Sequence, residues 1–430
     1  MTRTVLVCTV GGSPEPIVKA IAAKTPDHVA FVCSDDVVWD DGQISPGSRH
    51  EVTKAGGIAE RAGLADARHQ VVCVPHPDDP DGGFLVARKL LSELRQRFPD
   101  AEIVADYTGG TKSMTAALML AATAAADTQL KIQFVSGVRK DLVKVVDGTE
   151  RPLDIAIDAI SSERDLERAA LAWRSYAYQE AGALLDRYVR PQAEPAERLP
   201  LPLRERLTLV HQASAAMAAW DRFAHDEALH LLAPLRDMFP RYVAALHTLH
   251  RGDGSGLELF HLADLWLNAQ RRGTRGRYDD AIARCYRLVE ATAQWLLRTR
   301  HDLPSSGLPV RALPPKRRKE WARELREDET IDLPLEKTWR LLKDLGEKDA
   351  DRIVVDMFCE TGRTTRFEEM RHWLRRRNHS ILAHGFRPIG RDLWDEVRAW
   401  LAAAWLPWFE QQAEAAGLDL PQLPTEPPAM

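Results

Sequence analysis

Short apolar runs alternating with stretches of helical periodicity fill the first third of the chain. Runs at residues 4–10, 28–33, 70–74, 102–106, 131–135 and 142–146 read as strands, and residues 14–24, 48–62, 84–98 and 111–126 as helices. This alternation predicts a mostly parallel sheet with helices on both faces. Ligands of such sheets bind at the carboxyl ends of the strands. The alternation stops after Asp147-Gly148, and from about residue 158 to 270 the pattern is helical and rich in Ala, Leu and Arg. Prolines between 190 and 202 mark a break between helices. A strongly periodic helix then begins near Tyr278, with Ala281, Cys285, Leu288, Val289, Thr292, Trp295 and Leu296 along one face. Further helices are expected at 335–345, 353–359, 367–384 and 393–416, the last kinked at Pro407. Its stripe of Trp394, Val397, Leu401, Trp405 and Trp408 reads as core. The tail from 417 onward carries four prolines and is expected to be loose. The pattern divides the chain into an α/β region at 1–155, an all-α middle region at 156–272, an all-α region at 273–416 and a proline-containing tail at 417–430.

Bulk properties narrow the picture only a little. With 430 residues and a formal net charge of −5, the chain is not a globally electropositive nucleic-acid binder. Any contact with RNA or DNA must come from a local patch. Five cysteines are scattered without a CxxC pair, and the histidines of the middle region occur singly, so no metal set is read. Buried free thiols and the lack of a long apolar run point to a cytoplasmic protein with no membrane partner.

Two loops at the expected carboxyl edge of the sheet carry the first candidate chemistry. Gly11-Gly12-Ser13-Pro14-Glu15-Pro16 follows the first strand, and Asp106-Tyr107-Thr108-Gly109-Gly110-Thr111-Lys112-Ser113-Met114 joins a strand to an Ala-rich helix. Glycines admit a close backbone approach, and hydroxyls, a lysine and a helix N-terminus suit an anion. The second loop is not a P-loop, because Thr111 rather than glycine precedes Lys112, and neither loop has GxGxxG spacing. The plain alternative is a pair of tight turns whose glycines serve packing alone.

The second candidate is Arg375-Arg376-Arg377-Asn378-His379-Ser380-Ile381-Leu382-Ala383-His384-Gly385. On a continuing helix, seven residues amount to two turns less about 20°, so Arg377 and His384 would share a face. Ile381 and Leu382 would seat that helix in a core, and Gly385 would stop it. A guanidinium beside an imidazole suits phosphate chemistry: one grips oxygens, the other moves protons near neutral pH. Taken alone, the stretch reads first as a basic helix end whose histidine caps carbonyls.

In combination, the loop Gly11–Pro16, the Thr-Gly-Gly-Thr-Lys-Ser loop, the helix from Tyr278 and the Arg377-Asn378…His384 motif make the chain resemble the CARF–HEPN ribonucleases. These are accessory effectors of type III CRISPR systems. The resemblance implies a Rossmann-like CARF domain that binds a cyclic oligoadenylate across a homodimer two-fold. It also implies an all-helical HEPN domain that cuts single-stranded RNA without metal, with no cofactor besides the allosteric activator. Six residues separate Arg377 from His384, at the upper end of the family's arginine-to-histidine spacing; His379 is too near to fit. The resemblance assigns Arg377 to the scissile phosphate, His384 to proton transfer during attack by the 2′-hydroxyl, and Asn378 to orienting one of them. A helix C-terminus would favour the charged form of such a histidine. It assigns Gly11, Gly12, Ser13, Thr108, Gly109, Gly110, Thr111, Lys112 and Ser113 to the ligand loops, with Lys112 the charge partner of a phosphate. Some family members slowly cut their own activator there, where Thr111 or Lys112 would assist. Two other readings are a CARF-type sensor whose helical half does not cut, and a nucleotide-dependent enzyme on the α/β domain. The missing Walker and GxGxxG spacings count against the latter.

Overall fold

The computed structural model describes residues 3–125, 130–136, 151–155, 157–190, 197–251, 254–354 and 365–429. These form two compact units, one of residues 1–164 with 192–203 and one of residues 165–191 with 204–430.

The first unit is built on a six-stranded sheet of β1 (Thr4–Thr9), β2 (His28–Ser34), β5 (His69–Val74), β6 (Glu102–Asp106), β7 (Leu130–Ser136) and β8 (Arg151–Ile155), in the order β5-β2-β1-β6-β7-β8. The first five run parallel and β8 pairs antiparallel with β7. A small hairpin, β3 (Val37–Val38) and β4 (Ile44–Ser45), follows β2. Strands β1 and β2 are buried on both faces, as their unbroken apolar runs require. Helix α1 (Glu15–Lys24) packs on one face through Ile17 and Ile21, with α2 (Arg49–Thr53) and α3 (Ile58–Arg61) contributing Val52 and Ile58. Helices α4 (Pro80–Arg97) and α5 (Lys112–Ala124) cover the other through Leu90, Leu91, Leu94 and Leu118. The chain therefore winds β1-β2-β5 on one side, then crosses back to place β6 on the other side of β1. That reversal opens a crevice between the carboxyl ends of β1 and β6, where the loops after them diverge to opposite faces.

Five expected strands appear within one residue of their predicted ends; the sixth, 142–146, lies outside the described residues. The single helix expected at 48–62 is two, because Gly56 takes a left-handed φ of +69°. Helix α4 starts four residues earlier than its apolar pattern, at a proline capped by the Asp79 carboxylate.

The second unit is helical. Its middle part comprises α7 (Tyr178–Val189), α8 (Leu201–Asp221), α9 (His225–Leu232), α10 (Pro240–Arg251) and α11 (Gly254–Thr274); α6 (Asp158–Arg174) enters it from the first unit. Helix α12 (Tyr278–His301) is the axis of the C-terminal part, and the seven residues expected on its inner face are all buried. Around it pack α11, α14 (Leu335–Asp344), α16 (Arg366–Asn378) and α17 (Arg391–Ala404), preceded in the chain by the short α13 (Pro315–Glu320) and, between α14 and α16, α15 (Lys348–Ile353). The predicted final helix is broken at Trp405, with α18 (Leu406–Ala415) restarting at Pro407 in its first turn. Its tryptophan stripe is core as expected, and Trp405 Nε1 donates to Thr292 Oγ1 on α12 at 2.9 Å. Gly273 admits this packing, since a Cβ there would lie 2.3 Å from the Trp394 ring.

The tail is not loose. Leu423 is buried, Arg271 donates to Gln422 Oε1 at 2.7 Å, and Tyr178 and Tyr242 donate to the carbonyls of Pro424 and Gln422. Prolines lack donors, so carbonyl acceptors anchor the segment without any regular structure. Arg271 is itself buried between Asp221 and Asp264, and His225 completes the set on Asp264 at 2.8 Å; removing one member would strand a buried charge. No helix among the described residues is long and apolar enough to cross a membrane.

Candidate functional site: a helix-end turn and a sheet-edge cradle

The Arg377–His384 stretch does not continue as a helix. Helix α16 opens on a Thr365–Glu368 capping box and buries Phe367, Met370 and Trp373, but ends at Asn378. Residues 375–380 are all polar and give a longer helix no face to bury. Instead the chain turns back on the helix end. The N–H of Ser380 donates to the Arg377 carbonyl at 2.9 Å, that of His384 to the Asn378 carbonyl at 3.1 Å, and that of Arg387 to the His379 carbonyl at 3.0 Å. Gly385 is not a helix stop but a close-approach residue: a Cβ there would lie 2.2 Å from the His379 carbonyl oxygen. His384 is thus returned to the end of α16 by a turn, with its N–H on the Asn378 carbonyl, rather than aligned with Arg377 along a shared helix face. Ile381 and Leu382 are exposed rather than core, and Phe386 beside them is 93% exposed.

The turn separates the roles of the arginines. Arg376 is taken up by Asp392 at 2.5 Å and Glu396 at 3.3 Å. Among the described residues no carboxylate pairs with Arg377. Its guanidinium lies over the Tyr286 ring, 4.3 Å from the centroid, and donates to Asn378 Oδ1 at 3.2 Å. A ring face orients the guanidinium without neutralising it, leaving the charge for an incoming anion. Tyr286 is half-buried on α12, where its hydroxyl meets Glu290 at 3.4 Å; burial first, and that carboxylate second, push its pKa upward. Sequence reasoning missed Tyr286. It lies within the helix that supports the resemblance, and only the packing of α12 on α16 shows that its ring faces the motif. His384 and Asn378 are both exposed to solvent. Asp279, in the first turn of α12, accepts the Ile389 N–H at 3.3 Å and ties down the segment that leaves the turn.

In the first unit, the two glycine loops meet backbone to backbone at the β1–β6 crevice. A Cβ on Gly11 would lie 2.7 Å from the Gly110 nitrogen, and one on Gly109 would lie 2.5 Å from the Thr9 carbonyl oxygen. Gly110 has φ +93°. Burial raises the pKa of Asp106, but its carboxylate is held by the Thr108 N–H at 2.9 Å and by Gln133 Nε2 at 2.6 Å, which fixes the turn. The structure brings the nine loop residues to one edge but divides their work. Thr108 Oγ1 accepts the Val135 N–H at 2.8 Å. Thr111 caps α5 by accepting the Met114 N–H, and its hydroxyl donates to the Pro77 carbonyl. Ser113 donates to the Asp78 carbonyl at 3.2 Å. These hydroxyls build the cradle. Lys112 in the first turn of α5 is exposed to solvent, as are Gly12 and Ser13 in the facing loop.

Comparison with known proteins adds a family. Residues 257–404 match the family model described as the Csm6 HEPN domain. That span contains α12, Tyr286, Arg377, Asn378 and His384. No curated protein matches the chain. Among solved structures, Enterococcus italicus Csm6 bound to cyclic hexa-2′-fluoro-hexa-dAMP is 14% identical, covers 96% of this chain and 99% of its own, and has a TM-score of 0.48. Can2 from Sulfobacillus thermosulfidooxidans in complex with cyclic tetra-adenylate is 12% identical, covers 55% of this chain and 69% of its own, and has a TM-score of 0.23. At these scores neither likeness bears on the fold. The family match falls on the segment that carries the Arg–His motif, so residues 257–404 are similar to the Csm6 HEPN domain.

Proposed function

We propose that this chain is an endoribonuclease of CRISPR antiviral defence, acting on single-stranded RNA and switched on by a cyclic oligoadenylate at the sheet-edge cradle. The observation that supports the reading is the turn after α16, which returns His384 to the helix end through the Asn378 carbonyl, together with an Arg377 free of any carboxylate among the described residues, inside the segment similar to the Csm6 HEPN domain. In the proposed reaction Arg377 binds the non-bridging oxygens of the scissile phosphate. The RNA 2′-oxygen attacks phosphorus and loses its proton, while the bond to the 5′-oxygen breaks and that oxygen takes up a proton. His384 serves one of these transfers, and the products are a 2′,3′-cyclic phosphate and a 5′-hydroxyl. Arginine and histidine supply charge and protons themselves, so the mechanism calls for no metal. In the cradle, Lys112 and the first N–H groups of α5 would meet a ligand phosphate. Slow cleavage of the bound ring would draw on Lys112, since the Thr111 hydroxyl is committed to its cap. Cleavage of an unstructured RNA by the full chain, with and without cyclic oligoadenylate, tests the reading.

One Arg–His set supplies a single proton-transfer group where the reaction moves two protons. We assign the second set to another copy of the chain in a homodimer. The support is the three exposed apolar side chains of Ile381, Leu382 and Phe386, which flank His384 in sequence. Exposed large apolar side chains, where they form a patch, mark a contact. Phe386→Asp is expected to shift the protein toward monomer in light scattering and to depress cleavage, with its melting temperature unchanged. Full dimerisation and full activity of that variant would remove this turn from the interface.

A further inference from the structure

The β3–β4 hairpin belongs to neither glycine loop, yet it stands on the same edge of the sheet. It leaves the carboxyl end of β2, and its base is clamped from several sides. The Asp36 carboxylate, just before β3, accepts the Gly47 N–H at 2.7 Å, Arg49 at 2.9 Å and His50 at 2.8 Å on the far side of β4. The Gly47 N–H, then His50, lowers the Asp36 pKa to about 2, so this carboxylate stays ionised across the working range. Ser34 and Ser48 exchange main-chain-to-hydroxyl bonds of 2.9 Å in both directions. Gly47 fits only as glycine, because a Cβ would lie 2.4 Å from the Ser34 carbonyl oxygen.

This rigid base holds out an apolar tip. Val38, Trp39 and Ile44 are exposed, Trp39 by 49%. The indole does not wave freely: Nε1 donates to Ser45 Oγ at 2.9 Å, and the ring meets His76 edge-on, with centroids 6.3 Å apart. His76 lies in the loop after β5, and that loop is bonded to the cradle. His76 Nδ1 accepts the Asp78 N–H at 3.2 Å, and the carbonyls of Asp78 and Pro77 take the hydroxyls of Ser113 and Thr111. An oriented aromatic plane is thus connected, through one five-residue loop, to the helix N-terminus that carries Lys112.

We propose that Trp39, backed by His76, is a stacking platform for a purine base of the ligand whose phosphate the cradle holds. The proposal rests on the ligand reading above and adds the element that would recognise a base. Phosphate-binding loops cannot tell a nucleotide ring from another polyanion, whereas a fixed indole offers a face to a flat heterocycle. The exposed tip costs the free protein some solvation of apolar surface, which a bound base would relieve.

The test is calorimetric titration of the full chain with cyclic tetra-adenylate, cyclic hexa-adenylate and a cyclic oligouridylate of matching size. Trp39→Phe is expected to bind the adenylate ring nearly as the wild type does. Trp39→Leu, which keeps apolar bulk without the ring, and Trp39→Ala are both expected to bind it roughly tenfold or more weakly. The uridylate ring should bind less tightly to the wild type and respond little to these changes. Melting temperatures should not move, since the clamp does not use the indole. Equal affinity of wild type and Trp39→Leu, with binding lost in Lys112→Ala, would overturn the platform and leave the cradle standing. A wild type that binds neither ring would overturn both. Variants that bind normally but fail to dimerise would assign the hairpin to a subunit contact instead, and the platform would fall.

Discussion

Replacing His384 with alanine is expected to lower the activated rate of RNA cleavage at least ~100-fold, the scale of a lost general acid or base. Arg377→Ala should fall as far, because a guanidinium on the phosphate acts where charge develops in the transition state. Structure explains why these losses would be chemical rather than conformational. The His384 side chain is exposed, and the turn is held by main-chain bonds that survive the substitution. The neighbouring arginines provide the control. Arg376 is engaged with Asp392 and Glu396, so Arg376→Ala should disturb the anchoring of α16 on α17 but change the rate far less. Tyr286 is a positioning residue. Tyr286→Phe keeps the ring under Arg377 and should stay near the wild-type rate, whereas Tyr286→Leu frees the guanidinium and should fall between wild type and Arg377→Ala. Single-turnover rates at saturating activator, read beside melting temperatures, check the series. Wild-type cleavage by His384→Ala would remove the motif from the chemistry.

Lys112→Ala is expected to weaken ligand binding roughly tenfold to a hundredfold, the scale of a charge-assisted hydrogen bond, and to raise the ligand concentration needed for activation by the same factor. A structural lysine at that position makes little sense. It stands in the first turn of α5, where the helix dipole disfavours a cation by about 0.3–1 kcal/mol. Its removal should therefore leave stability unchanged or slightly raised while ligand affinity falls. That opposition separates a binding role from a folding one. Lys112→Arg should retain part of the response. Calorimetric affinity and thermal unfolding decide it together. A Lys112→Ala protein that binds the ring normally would contradict the assignment of the phosphate partner.

Much of this was legible in sequence because it depends on period and on glycine. Short apolar runs bounded by turn signals, such as 28–33, read as buried strands once they alternate with helical stretches, and the face of α12 follows from a 3.6-residue repeat. The contact of Gly11 with Gly110 follows in kind, though not in detail, from two glycine loops on one edge. What failed were inferences that extended a period beyond its support. The helix read to His384 had no apolar face after Leu374, and once it ends at Asn378, Ile381 and Leu382 lose their core. The tail looked loose because prolines hide anchoring that runs through carbonyl oxygens. Tyr286, Trp39 and His76 were silent for another reason. Their significance lies in which side chain each meets across the fold, a relation between residues far apart in sequence.

In the proposed function one ligand at the α/β edge licenses Arg–His chemistry on RNA. Incubating the full chain, in chelator, with an unstructured RNA and a panel of cyclic oligoadenylates of different ring sizes tests this. Product termini are then identified. The expected result is cleavage with one ring size, leaving 2′,3′-cyclic phosphate and 5′-hydroxyl ends, and none with the His384→Ala chain. RNA that stays intact while a ring binds tightly would contradict it, and would make the protein a sensor that does not cut.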